Sequence, residues 1–183
     1  FVTAEDRDHP QAAEAALSRF ERVVVEACAY SEAERSFLIL DQLQAAPLAG
    51  TEGAASPFFS PDGHWLAFFA GGALKKVSVS GGAAVTLCDA PSGRGGTWAD
   101  DGTILFTPTF AADATLMRIS SAGGTPAVFG ALSAGATTQR WPQALPGGQA
   151  VLFTEHSSTA NWDEANLAVA PLSGGAPRVV VRG

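Results

Sequence analysis

Five polar or aromatic side chains crowd one stretch of this chain: Glu155, His156, Trp162, Asp163 and Glu164. An imidazole beside carboxylates suits a divalent ion. A Trp in a polar segment offers a large, rigid contact surface to a partner. The ligand types lack the spacing of a metal motif, and a solvated polar loop outweighs a metal site. No metal, cofactor or catalytic residue is therefore assigned. Trp162, with His156, Asp163 and Glu164, forms the candidate partner-contact group, in an insertion expected to run as an exposed loop from Glu155 to Ala165.

Other chemistry is absent from the sequence. Gly93-Arg94-Gly95-Gly96 looks like a phosphate cradle, but no helix N-terminus follows it, so an inter-sheet turn is the better reading. There is no Gly-x-x-x-x-Gly-Lys-Ser/Thr loop, and no kinase signature. Ser133, in Ala131-Leu132-Ser133-Ala134-Gly135, lacks the first Gly of a nucleophile elbow. His9 and His64 stand far from His156, and His64 reads as an exposed residue after a tight turn. Asp62-Gly63 and Asp100-Asp101-Gly102 lack calcium-loop spacing and read as turns. Cys28 and Cys88 read as small buried hydrophobes rather than a disulfide, and are too few for zinc. Phe59, Trp65, Trp98 and Trp141 read as packing between sheets.

Composition narrows the partners. The 183 residues carry a net charge of −7 and no basic stripe, which argues against nucleic acid. No run of 18 apolar residues exists, so no membrane-inserting segment is expected. The chain opens on Phe1 and an acidic stretch, Glu5-Asp6-Arg7-Asp8, without the basic and apolar regions of a leader. Low charge, 16%, with 20 Gly and 11 Pro favours a loop-rich all-β protein.

A module that occurs three times must position these residues. Its turn reads Ser60-Pro61-Asp62-Gly63, then Ala99-Asp100-Asp101-Gly102, then Pro146-Gly147-Gly148. Pro presets φ, Asp bonds its own backbone, and Gly takes positive φ. Apolar runs follow: Trp65–Phe69, Ile104–Phe106 and Ala150–Phe153. A second punctuation recurs at Ser80-Gly81-Gly82, Ala122-Gly123-Gly124 and Ser173-Gly174-Gly175. Gly63 to Gly102 is 39 residues and Gly102 to Gly148 is 46, the period of four-stranded propeller blades at ~40–50. The predicted class is all-β: a partial β-propeller of three to four four-stranded antiparallel blades. The blades are placed at about 36–55, 56–95, 96–140 and 141–183, after an N-terminal segment, 1–35. In that segment a helix at about 10–21 followed by a strand at 22–29 competes with two strands of a degenerate first blade.

Ser60-Pro61-Asp62-Gly63-His64-Trp65-Leu66-Ala67-Phe68 resembles the blade motif of TolB-type β-propellers. More narrowly, residues 43–106 are similar to the propeller that follows the kinase domain in some bacterial serine/threonine kinases. The stretches concerned are Pro47–Gly53, Leu74–Val77, Cys88–Pro91 and Arg94–Trp98. The first blade lacks the turn motif, and about four blades stand at the low end of the ~4–8 that close a ring. The resemblance implies a non-catalytic binding or scaffold segment of a larger protein. That protein would be a membrane-anchored kinase, with this segment in the periplasm or otherwise outside the cytoplasmic membrane, a cytoplasmic place staying open. A periplasmic TolB-like assembly protein and the accessory propeller of a serine hydrolase are the alternatives. The expected partner is a protein, a peptide or a small ligand, and unclosed blade faces would pair with each other or with further blades.

Overall fold

The computed structural model describes residues 23–27, 36–40, 45–157 and 164–182. The helix expected over 10–21 lies outside them. The described secondary structure is strands, all paired antiparallel within four sheets. A three-stranded sheet joins β1 (Val23–Ala27), β2 (Ser36–Leu40) and β3 (Ala45–Pro47). Three four-stranded sheets follow, each in simple chain order. The first holds β4 (Ala55–Phe59), β5 (Trp65–Ala70), β6 (Ala73–Ser78) and β7 (Val85–Asp89). The next holds β8 (Gly96–Trp98), β9 (Thr103–Phe106), β10 (Met117–Ser120) and β11 (Ala127–Val128). The last holds β12 (Thr138–Ala144), β13 (Ala150–His156), β14 (Asn166–Pro171) and β15 (Arg178–Val181).

The turn between the first and second strand is the same hydrogen-bonded frame three times. Gly63 N donates to Ser60 O, Gly102 N to Ala99 O, and Gly148 N to Leu145 O. The glycines sit at φ of 70°, 82° and 64°, a region closed to most side chains. Strand closure is equally regular, with Ser60 N on Trp65 O, Ala99 N on Thr103 O and Leu145 N on Ala150 O. In the first copy Ser60 Oγ donates to Asp62, while Asp62 accepts from His64 N and Ser60 Oγ accepts from Trp65 N.

Three apolar clusters fill the spaces between sheets. Leu66, Phe68, Ala70, Val77 and Val79 pack with Leu48 and Ala54. On the opposite face Phe69, Leu74 and Leu87 meet Ile104, Phe106 and Ile119. Beyond these, Leu105, Leu116 and Phe129 meet Val151, Phe153, Ala168 and Ala170. β5 and β9 are thus buried on both faces, which explains why their sequences are continuous apolar runs, whereas β13 buries Val151 and Phe153 and leaves Leu152 and Thr154 half-buried. Polar clasps tie β12 to the neighbouring sheet: Thr97 Oγ1, on β8, accepts from Ala144 N at 3.0 Å, and Thr107 Oγ1, just after β9, donates to Gln139 O at 3.0 Å.

The connection between β7 and β8 is tightly shaped. A Cβ on Gly93 would lie 2.1 Å from Phe69 Cδ1, inside the second cluster. Gly93→Ala is expected to destabilise the chain by about 1–3 kcal/mol through overpacking, read as a lower urea midpoint. The hydrogen bond from Ser60, then that from His64 N, holds the Asp62 carboxyl below its ordinary 3.8. A depressed acid stabilises the fold above its unfolded pKa and loses that effect as pH falls through its folded value. The stability gap between the wild type and Asp62→Ala should therefore narrow on moving from neutral pH to below 3.8.

Candidate functional site

A backbone irregularity recurs along the inner strands, seven residues before each turn glycine. Ser56, Gly95 and Trp141 occupy this position with φ of 50°, 85° and 54°. β4 shifts register between Ala55 and Phe58, and β12 between Arg140 and Gln143. Such bulges re-aim side chains. The positions before the bulge residue are Ala55, Arg94 and Arg140. The two arginines are thus equivalents in adjoining sheets.

Glycine is the natural occupant of this conformation; a bulky side chain there costs about 1–3 kcal/mol. Trp141 adopts it and still stands 51% exposed. Gly95 makes room for it: a Cβ there would lie 2.6 Å from Trp141 Cε3. Trp141 N donates to Arg94 O at 3.1 Å. Arg94 itself is pinned, its N–H on Thr107 O, with Gly95 O accepting from Thr107 N. Phe110, on the connection between β9 and β10, is 55% exposed and lies between the two cations. Its ring is 5.5 Å from the Arg94 guanidinium, and its carbonyl accepts from Arg140 Nη2 at 3.2 Å. Arg140 Nε also donates to Thr138 Oγ1. Burial, and then the charge of Arg94, push the pKa of Arg140 down.

Behind this rim runs a buried polar network that reading the sequence did not anticipate. Gln139 is 1% exposed and donates to Glu155 Oε1 at 2.7 Å and to Ala131 O at 3.0 Å. It accepts from Leu116 N at 3.1 Å, and Glu155 Oε1 also accepts from Ser133 N. These bonds tie the connection into β12 to the ends of β10 and β13. Gln139→Leu would leave a carboxylate, a carbonyl and an N–H without this partner. It should cost about 2–4 kcal/mol, measurable as lost stability in urea.

Glu155 and His156 depart from expectation. Both belong to β13 and are buried, so the exposed loop starts after them. Strand pairing of Thr138 with His156 and Gln139 with Glu155 puts them inside the sheet. Glu164 is exposed just before β14. Trp162 and Asp163 lie outside the described residues. Trp141, read from sequence as packing, is instead half exposed, while Phe59 keeps most of its surface covered. Ser133, also singled out from sequence, donates its backbone N–H to Glu155 Oε1, and its buried hydroxyl has no hydrogen-bond partner among the described residues.

The opposite end of the sheets holds a cavity of about 320 Å³ between the turns of adjacent sheets. Pro61, Asp62 and Gly102 of the turn motif line it, with Trp65, Trp98 and Lys76. Lys76 Nζ lies 4.5 Å from the Trp65 ring and 5.9 Å from the Trp98 ring, and donates to Ser121 O at 2.7 Å. The lysine acts as a pin between two sheets. Asp101 and Gly147 hold the matching turn positions elsewhere, with Asp101 accepting from Thr103 N. Among the described residues no cluster of three or more His, Cys, Asp or Glu could hold a metal. Cys88 has no disulfide, and burial raises its thiol to about 11.

No family model and no curated protein matches this chain. Solved structures do. A TolB-type protein of Agrobacterium tumefaciens superposes with a TM-score of 0.69 at 13% identity, over 81% of this chain and 57% of the other. TolB from Acinetobacter baumannii gives 0.66 at 13%, over 84% and 39%. A structure of the nidogen/laminin complex gives 0.66 at 14%, over 88% and 62%. The chain thus spans roughly two fifths to three fifths of the length of these proteins. At such low identity these likenesses show the fold, and the fold of this chain is that of a partial β-propeller, similar to those of TolB proteins.

Proposed function

We propose that this chain is a non-catalytic binding and scaffold segment, the sensor or interaction part of a larger bacterial protein. A membrane-anchored serine/threonine kinase is the favoured context, with the segment outside the cytoplasmic membrane. One observation carries the reading: Phe110 and Trp141 stand exposed beside two arginines, Arg94 and Arg140. Exposed aromatics and Arg are the residue types that dominate protein interfaces. The partner is a protein or peptide held by this rim together with the insertion.

Two further contexts have support. The likeness to TolB favours a periplasmic assembly protein. A structure of puromycin hydrolase, matched with a TM-score of 0.65 at 17% identity over 88% of this chain and 27% of the other, favours an accessory propeller. The neighbouring coding sequence separates the three: a kinase and membrane helix upstream, a secretory leader, or a hydrolase domain downstream.

Binding itself is tested with linear peptides selected on the immobilised chain from a random display library. Trp162→Ala and Phe110→Ala should each weaken the selected peptides by about 2 kcal/mol in calorimetry. An empty selection, or affinities unchanged in both variants, would sink this reading.

A further inference from the structure

The last sheet carries an apolar face that stays exposed, and the repeat itself identifies what that face is shaped to meet. The three four-stranded sheets align residue by residue. Trp65 pairs with Ser78, Thr103 with Ser120 and Ala150 with Pro171, each pair beside the same turn frame. Four residues before Ser78, Ser120 and Pro171 stand Leu74, Leu116 and Leu167. On the outer strands Thr86 pairs with Lys75, Val128 with Met117 and Val179 with Ala168, so the residues that follow, Leu87, Phe129 and Val180, are also equivalent. In the first of these sheets Leu74 and Leu87 are buried in the seam with Ile104, Phe106 and Ile119 of the next. In the second, Leu116 and Phe129 are buried in the seam with Val151 and Phe153 of the sheet that follows. In the third, Leu167 is 37% and Val180 44% exposed, with Val181 beside them at 54%. The second strands repeat the contrast: Ala67 and Leu105 are buried, and Leu152 is half-buried. Thr154 stands where Thr107 does, and the Thr107 hydroxyl clasps the inner strand of the following sheet.

The face that closes each seam is equally regular. Ile104 and Phe106 enter one seam, Val151 and Phe153 the other, in each case an aliphatic residue and a phenylalanine two places on. We propose that the face formed by Leu152, Leu167 and Val180 is a docking surface for a partner sheet of this same repeat: four-stranded, antiparallel, with an aliphatic residue and a phenylalanine so spaced on its second strand. The surface continues a series of two existing interfaces, and contiguous exposed apolar side chains mark such a contact. A second copy of the chain would have to open a seam to supply the strand, because Leu66 and Phe68, Ile104 and Phe106, and Val151 and Phe153 are all buried. The proposal concerns the last sheet alone and stands apart from the binding rim.

The test extends the full chain after Gly183 with a second copy of residues 130–183, the stretch that supplies Val151 and Phe153 to the existing seam. Amides of β13 to β15 in the original sheet should exchange about tenfold or more slowly than in the chain without the extension. Phe153→Asp in the appended copy alone, or Leu167→Lys in the original sheet alone, should abolish that protection. In the unextended chain Leu167→Lys should leave the urea midpoint unchanged, because the side chain is already exposed, with circular dichroism confirming the fold. An appended copy that exchanges like unfolded chain, or protection that survives both substitutions, would overturn the proposal. So would a marked drop in midpoint for Leu167→Lys in the unextended chain, which would make the face part of the chain's own core. Dimers of the extended chain in sedimentation, dissociated by Leu167→Lys in the original sheet, would assign the face to copies of the chain and also overturn it.

Discussion

The structure depends on two second strands, β5 and β9, that are buried from both sides. Phe68 and Phe69 are neighbours in sequence, yet they belong to two different clusters. Leu105 and Phe106 divide in the same way. A strand turns successive side chains to opposite faces, so an apolar pair in such a strand supplies two interfaces at once. That arrangement holds the sheets face to face. It also fixes where polar groups can go: to turns, to strand ends and to the few buried clasps made by Thr97, Thr107 and Gln139.

With packing handled by the middle strands, the inner strands are free to vary. Their backbones repeat the same positive-φ bulge, but the side chains displayed there run from Ser56 to Gly95 to Trp141. The repeat thus separates a conserved shape from a changing chemistry. The rim gains its character from two substitutions within this frame, an arginine in place of Ala55 and a tryptophan in place of serine or glycine. Strain at Trp141 is tolerated because Thr97, Thr107 and Gln139 hold the surrounding backbone.

Much of the fold was legible because its signals are local. Pro61-Asp62-Gly63 and its relatives encode turns through φ restriction and a side-chain hydrogen bond, and the apolar runs encode strands buried on both faces. The bulge was harder to see. Its only trace in sequence is a residue before proline seven places ahead of a turn glycine, at Ser56-Pro57 and Trp141-Pro142, and the middle sheet breaks even that pattern with Gly95-Gly96. Trp141 accordingly read as interior packing. Glu155 and His156 read as loop because polarity is ordinarily a sign of exposure. Here Gln139, on the paired strand, donates to one oxygen of the carboxylate across the sheet, a pairing that no local pattern encodes.

The segregation of contacts into clusters shared only by adjoining sheets has an evolutionary consequence. A recombination event that crosses over between an outer strand and the following inner strand would add or remove one whole sheet. It would replace only the apolar seams that flank the gained or lost sheet and leave every other seam unchanged. Lineages carrying this architecture can therefore change the number of sheets by duplication or loss, then refit the flanking boundaries by a handful of point substitutions.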